Sequence, residues 1–351
     1  MNFASDNWAG ATEPVMAALA RHQSGAVPSY GVDPLSKSVT DRLSEIFERE
    51  VAVFFVGTGS AANALALSAY AKAGAAYFCH PDAHIQIDEC GCPEFFTGGG
   101  KLVSVPGENG KMSVKALETA IAAFPEGVVH HGQAAAVSIT QASESGTVYG
   151  LDEIRAIKAV ADARGLALHM DGARFANALV SLGCSPADMT WRAGVDVLSF
   201  GATKNGCWCA EAVVFFDAEA ARGFEYLRKR AGHLFSKSRF IAAQFEGYLG
   251  DDNWLKTAAH ANRMARLLAD GIRDAGGRTA WPVEANELFP VMKKADAERL
   301  RGAGAFFYEW PASGLPAGTR PQADEVCLRL VTSFATTEAD VERFLKHLAG
   351  G

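Results

Sequence analysis

The 351-residue chain is 49% hydrophobic and 21% charged, the balance of an ordinary globular protein. A net charge of −7 leaves no basic excess to meet a nucleic-acid backbone. No apolar run nears the roughly 20 residues that span a bilayer, and the N-terminus lacks a cationic start followed by an apolar stretch, so the expected location is the cytoplasm.

The length exceeds one small core and points to a large domain over 1–250 and a small one over 251–351. Seven cysteines, an odd number, argue for free thiols rather than a disulfide framework. The pairs Cys90/Cys92 and Cys207/Cys209 have a shorter spacer than structural zinc sites use. They read as small buried thiols, with no metal expected.

In chain order, a polar arm over 2–10 precedes a helix capped by Thr12, with Pro14 in its first turn. A turn-rich loop over 28–34 contains Tyr30, and a helix over 35–50 follows. Strand 51–56, the small-residue turn Gly57-Thr58-Gly59-Ser60 and helix 61–73 come next. A short strand over 77–79 leads to a helix carrying Ile85 and Ile87 as far as Cys90. Strands are expected over 101–106 and 134–140, the second ending at Gln141, with helices over 113–123 and 151–164. Apolar runs over 165–170 and 195–200 read as buried strands, followed by a strand over 210–216. Helices over 218–230, 237–248 and 253–275 complete the large unit and enter the small one. Beyond 278, strands 288–292, 305–310 and 325–332 alternate with helices 295–301 and 337–348. The alternation predicts an α/β fold: a mostly parallel sheet with helices on both faces, plus a small α+β C-terminal domain.

Two strand ends carry the chemistry. The run 195–200 delivers Lys204, and a lysine emerging from a buried strand is costly to keep as an ammonium. A neutral amine there is a nucleophile towards carbonyls. The run 165–170 ends on Asp171, with Arg174 three residues on. A strand-end lysine that holds an aldehyde and a carboxylate that keeps a pyridine nitrogen protonated are what pyridoxal 5'-phosphate (PLP) needs. The turn at Gly59 and Ser60, opening a helix, suits its phosphate. Each signal is weak alone; their order and placement make the case.

His169-Met170-Asp171-Gly172-Ala173-Arg174 with Asn177, the Thr203-Lys204 pair and Gly146-Thr147-Val148-Tyr149 resemble the threonine aldolases, fold type I PLP enzymes. Ser5-Asp6-Asn7 and Leu328 to Thr332 resemble that family's first and last signatures. The resemblance implies that Lys204 holds PLP as a Schiff base, Asp171 pairs with the ring nitrogen, and Gly59, Ser60 and Thr203 meet the phosphate. It makes His84 the residue stacked on the ring and Arg174 part of the cofactor site. Ser5, Arg174 and Arg329 would hold the substrate carboxylate, with Glu89, Gln141 and Tyr30 also on the substrate side. The implied reaction is retro-aldol cleavage of threonine or allo-threonine to glycine and an aldehyde, in a homotetramer (a dimer of dimers) with shared active sites. Arg239 or Lys237 would reach a neighbouring subunit's phosphate.

This chain departs from the pattern in reading Thr-Lys-Asn-Gly at the lysine and Ser333 where a histidine commonly stands. Gln141 is aligned with the family's second active-site histidine, which predicts a loosely held β-hydroxyl and acceptance of both Cβ epimers. Simpler readings stand beside these. His84 alone is a loop histidine, Glu89 a solvated acid, and Glu325 a structural partner for Arg329. The rival functions are a PLP-dependent β-eliminating lyase, a racemase, a phenylserine-type aldolase, and a non-catalytic ligand-binding α/β module.

Overall fold

The computed structural model describes residues 1–350. Seven strands form the main sheet: β1 (Ala52–Val56), β2 (Ala75–Cys79), β3 (Lys101–Ser104), β4 (Gln133–Thr140), β5 (Ala167–Gly172), β6 (Val197–Gly201) and β7 (Glu211–Phe215). Their spatial order is β1-β7-β6-β5-β4-β2-β3, and β7 alone runs against its neighbours. The apolar strand runs are apolar throughout because the sheet is covered on both faces. β2, β5, β6 and β7 are buried over nearly their whole length. Crossovers between parallel strands bring the C-terminal ends of β1, β4, β5 and β6 to one edge, where open α/β sheets bind ligands.

Behind that edge Phe47, Phe175, Phe200, Phe245, Tyr248 and Trp254 interlock through edge and stacked contacts. Each fully buried ring contributes about 1.5–3 kcal/mol, so the floor under the strand ends is rigid. A second, antiparallel sheet lies in the C-terminal part. It comprises β8 (Arg278–Thr279), β9 (Glu287–Leu288), β10 (Pro290–Lys293), β11 (Tyr308–Trp310) and β12 (Glu325–Val331), ordered β11-β12-β10-β8 with β9 beside β12. The helix Asn253–Asp274 joins the two sheets, and Phe3 from the N-terminal arm fills the second core. The arm is tied there by Phe3 N–H to Phe306 O at 2.9 Å and Val331 N–H to Phe3 O at 2.8 Å. This pins the next residues, Ser5 to Asn7, over the edge of the main sheet.

Several elements differ from expectation. The expected helix through Ile87 to Cys90 stops at Ile87 and restarts at Cys92, because Cys90 (φ 51°) and Gly91 (φ 74°) are left-handed. The helix expected from 218 begins only at Phe224, after left-handed Gly223. The expected strand 288–292 divides between β9 and β10, and that over 305–310 shortens to β11. Of the cysteines read as buried, Cys90 is exposed while Cys92 and Cys209 are partly so; Cys207 is buried.

Candidate active site

At the strand ends a cleft of about 490 Å³ opens, lined by Gly59, Ser60, His84, Asp171, Thr203 and Lys204. Lys204 lies in the 3-10 turn Thr203–Asn205 that follows β6 and is half-buried. Asn205 locks that turn to the aromatic floor, donating to Tyr248 Oη at 2.9 Å and Trp254 O at 2.8 Å.

Asp171 stands at the end of β5. Its Oδ1 accepts from Ala173 N–H at 3.0 Å and its Oδ2 from Asn63 Nδ2 at 2.8 Å. Asn63 uses the same amide nitrogen on Glu89 Oε1 at 2.9 Å, and that oxygen also meets His84 Nδ1 at 2.8 Å. The bond to Glu89 raises the His84 pKa above its ordinary value against the opposing effect of burial. Within this hydrogen-bonded group, the buried atoms Asn63 Oδ1 and Glu89 Oε2 have no protein partner.

Thr58 caps the helix Gly59–Ser68, its hydroxyl accepting from Ala61 N–H at 3.2 Å. The first two helix N–H groups, on Gly59 and Ser60, find no acceptor among the described residues and open on the cleft. Unsatisfied donors at a helix N-terminus form a ready anion site.

Arg174 immediately precedes the helix Phe175–Leu182 and is almost wholly buried. Its Nε and Nη2 clasp Asp6 at 2.8 and 3.0 Å, and Nη1 meets Glu287 Oε2 at 2.9 Å. Burial opposes its ionisation, but the charges of Asp6, Glu287 and Glu144 outweigh burial and hold its pKa above the ordinary value. Arg329 pairs with the other oxygen of Glu287, not with Glu325, which holds Arg278. One buried carboxylate thus bridges the two arginines expected at the substrate carboxylate.

The remaining expected residues lie elsewhere. Ser5 accepts from Asn7 N–H at 3.1 Å and shapes the arm, and Asn7 is the arm residue that reaches the cleft. Gln141 is fully buried, donating to Tyr149 O and accepting from Tyr149 N–H, both at 2.9 Å. Its amide closes the loop after β4 and does not reach the cleft, which corrects its expected place at the substrate hydroxyl. Tyr30 is exposed and outside the cleft of its own chain, with Lys229 over its ring. Arg239 is spent on Gly25 O at 2.9 Å, whereas Lys237 is exposed.

Residues that the sequence reading passed over complete the site. Asn63 lies one helical turn beyond Gly59, a spacing that places both on one face. Glu211, Glu287 and Glu144 were discernible only as charges set among apolar or small neighbours. Glu211 accepts from Ala202 N–H at 3.1 Å, and burial pushes its carboxyl up to about 7. His169 is neutral scaffold: burial pushes it down to about 4, and its two ring nitrogens meet Ser138 and Ser199 at 2.8 and 2.9 Å.

Residues 2–295 match the family model described as beta-eliminating lyase. The chain belongs to that family. A relative described as low specificity L-threonine aldolase from Pseudomonas aeruginosa is 44% identical over 313 residues, covering 89% of this chain and 90% of its own. A solved threonine aldolase from Leishmania major superposes with a TM-score of 0.91 at 29% identity, covering 99% of this chain and 98% of its own. Sphingomonas wittichii serine palmitoyltransferase, at 19% identity and a TM-score of 0.68, shares the fold over 100% of this chain and 86% of its own. The beta-eliminating lyase family and these folds bear out the resemblance to threonine aldolases and the expected PLP-enzyme architecture. The residues present fit PLP: a half-buried lysine in the cleft, a fixed carboxylate beside unpartnered buried atoms, and free N–H groups at a helix start.

Proposed function

We propose that this chain is a PLP-dependent lyase that cleaves L-threonine and L-allo-threonine to glycine and acetaldehyde. The observation that carries it is the meeting of Lys204, Asp171 and the Gly59–Ser60 helix start in one cleft, together with the likeness to the P. aeruginosa relative. When bound, PLP supplies an electron sink conjugated with the substrate's Cα. Lys204 would hold its aldehyde, Asp171 its ring nitrogen, and the N–H groups of Gly59 and Ser60, with Thr203 nearby, its phosphate.

The chain's own residues then orient and protonate. Asn63 spends both amide hydrogens on Asp171 and Glu89, so the carboxylate that would meet the ring nitrogen is fixed in direction. His84, whose pKa the bond to Glu89 raises above its ordinary value, would serve as a proton donor beside the cofactor. Arg174 and Arg329 would supply the guanidinium forks for the substrate carboxylate, and Asp6 and Glu287 hold those forks in place. Orientation decides which Cα bond stands to break, so these positioning residues contribute directly to rate.

The finer expectations belong to the same proposal. Residues 1–250 and 251–351 are the large and small domains, and the enzyme is a cytoplasmic homotetramer. Support for assembly comes from apolar side chains exposed beside the cleft, Trp208 at 67% and Phe235 at 38%, which a neighbouring subunit would cover. Product analysis tests the activity: glycine with acetaldehyde supports it, and ammonia with an oxo acid supports β-elimination instead. Light scattering of the purified enzyme tests the tetramer.

A further inference from the structure

The groups so far placed at the cleft leave one task without an owner, removal of the proton from the substrate's β-hydroxyl. Gln141 is buried and doubly bonded to Tyr149. His84 is engaged through Nδ1 with Glu89 at 2.8 Å, which raises its pKa against the effect of burial. Glu89 and Asp171 are tied through Asn63, Glu287 is locked between two arginines, and Glu211 accepts from Ala202 beside the lysine turn.

Glu144 is the carboxylate left over. It sits on the loop that follows β4, and between Gln141 and Tyr149 it alone is partly accessible. The loop is rigid at both ends. Gln141 N–H donates to Asp171 O at 2.8 Å, and Gly146 O accepts from Ala285 N–H at 3.1 Å. Within it Ser143 and Thr147 bond each other at 2.7 Å, whereas the Glu144 carboxylate makes no hydrogen bond or ion pair among the described residues. The charged groups facing it are Lys204 from the turn after β6, Arg174 from the helix start after β5, His84 from its short helix, and Glu287 from β9. Burial is the main influence that raises its pKa, and Glu287 adds to it; the three cations act in the opposite direction.

We propose that Glu144 is the catalytic base that accepts the β-hydroxyl proton, an assignment that rests on the threonine-cleaving function above. The O–H bond breaks towards the Glu144 carboxylate, and its electron pair becomes the aldehyde's C=O π bond. The Cα–Cβ pair stays with Cα, which gains a proton to give glycine, so the proton count closes. A carboxylate of raised basicity that is free of partners suits this role.

The test compares two reactions of the holoenzyme. Threonine cleavage needs the base, whereas exchange of glycine's α-hydrogen in deuterium oxide, followed by NMR, does not. Glu144→Gln should lower kcat/KM for both threonine epimers by about 100-fold or more. It should keep glycine exchange and the bound-cofactor absorbance within about threefold of the native enzyme, and remove the acid limb of the pH–rate profile. Glu144→Asp, one methylene shorter, should recover part of the lost rate. Cleavage by Glu144→Gln near the native rate, parallel loss of glycine exchange, or equal rates in the two variants would overturn the assignment. A native enzyme that exchanges glycine but leaves both epimers intact would overturn the function itself and the assignment with it.

Discussion

Asp6→Asn offers a worked test of how the arm is held. Asp6 is 2% exposed, clasps Arg174 through two bonds at 2.8 and 3.0 Å and accepts from Asn286 Nδ2 at 3.1 Å. Asparagine keeps the shape but loses the charge and turns one acceptor into a donor facing guanidinium N–H groups. Breaking a buried pair costs about 3–5 kcal/mol, and Glu287, still on Nη1, keeps the loss near the lower end, at about 3 kcal/mol. With about 2.1 cal/mol/K of unfolding entropy per residue over 351 residues, that corresponds to a fall of roughly 4 °C in Tm. Because Asn7 lines the cleft, kcat/KM should fall with it. The assays are calorimetry of the holoenzyme and threonine cleavage. Burial acts to raise the Asp6 pKa, but Arg174 and Lys204 together bring it below 3.8. A depressed carboxylate stabilises above its unfolded value, so the native enzyme loses this contribution as pH falls below 3.8 and the two proteins converge there. A Tm within 1 °C of native with unchanged kcat/KM would refute the reasoning.

Three further outcomes follow from the geometry. Burial lifts Glu211 from 4.5 to about 7, so its ionisation opposes folding increasingly as pH rises through that window. Cofactor-free Glu211→Gln should therefore gain about 3 kcal/mol over native on the alkaline side; a difference that is flat with pH in denaturant titrations contradicts this. Glu89→Gln removes the bond that raises His84, so NMR titration should show that histidine's pKa fall; an unmoved pKa refutes the pairing. Gln141→Ala should cost about 1–3 kcal/mol in denaturant unfolding by orphaning the Tyr149 backbone, with the threonine to allo-threonine rate ratio unchanged. A changed ratio would return Gln141 to the substrate.

The fold and the cofactor end of the site were legible because both rest on local patterns. β5 and β6 are buried on both faces, so their sequences are continuous apolar runs that end visibly on Asp171 and just before Lys204. The turn at Gly59 and Ser60 announces itself by small residues ahead of a helix. The substrate end was less legible because it is assembled from distant segments. Asp6, Arg174, Glu287 and Arg329 come from the arm, a helix start, β9 and β12, and no spacing connects them. Gln141 misled because a strand-end polar residue has the same appearance whether it faces a cleft or closes its own loop. Glu144, three residues later, lies within the loop that Gln141 closes onto Tyr149.

The central claim is that Lys204 carries the cofactor, and borohydride reduction of the holoenzyme followed by peptide mapping tests it most directly. The geometry predicts a pyridoxyl group on Lys204 and no other lysine, with Lys204→Ala folded, unlabelled and unable to cleave threonine. A label on another lysine, or threonine cleavage by Lys204→Ala at the native rate, would contradict it.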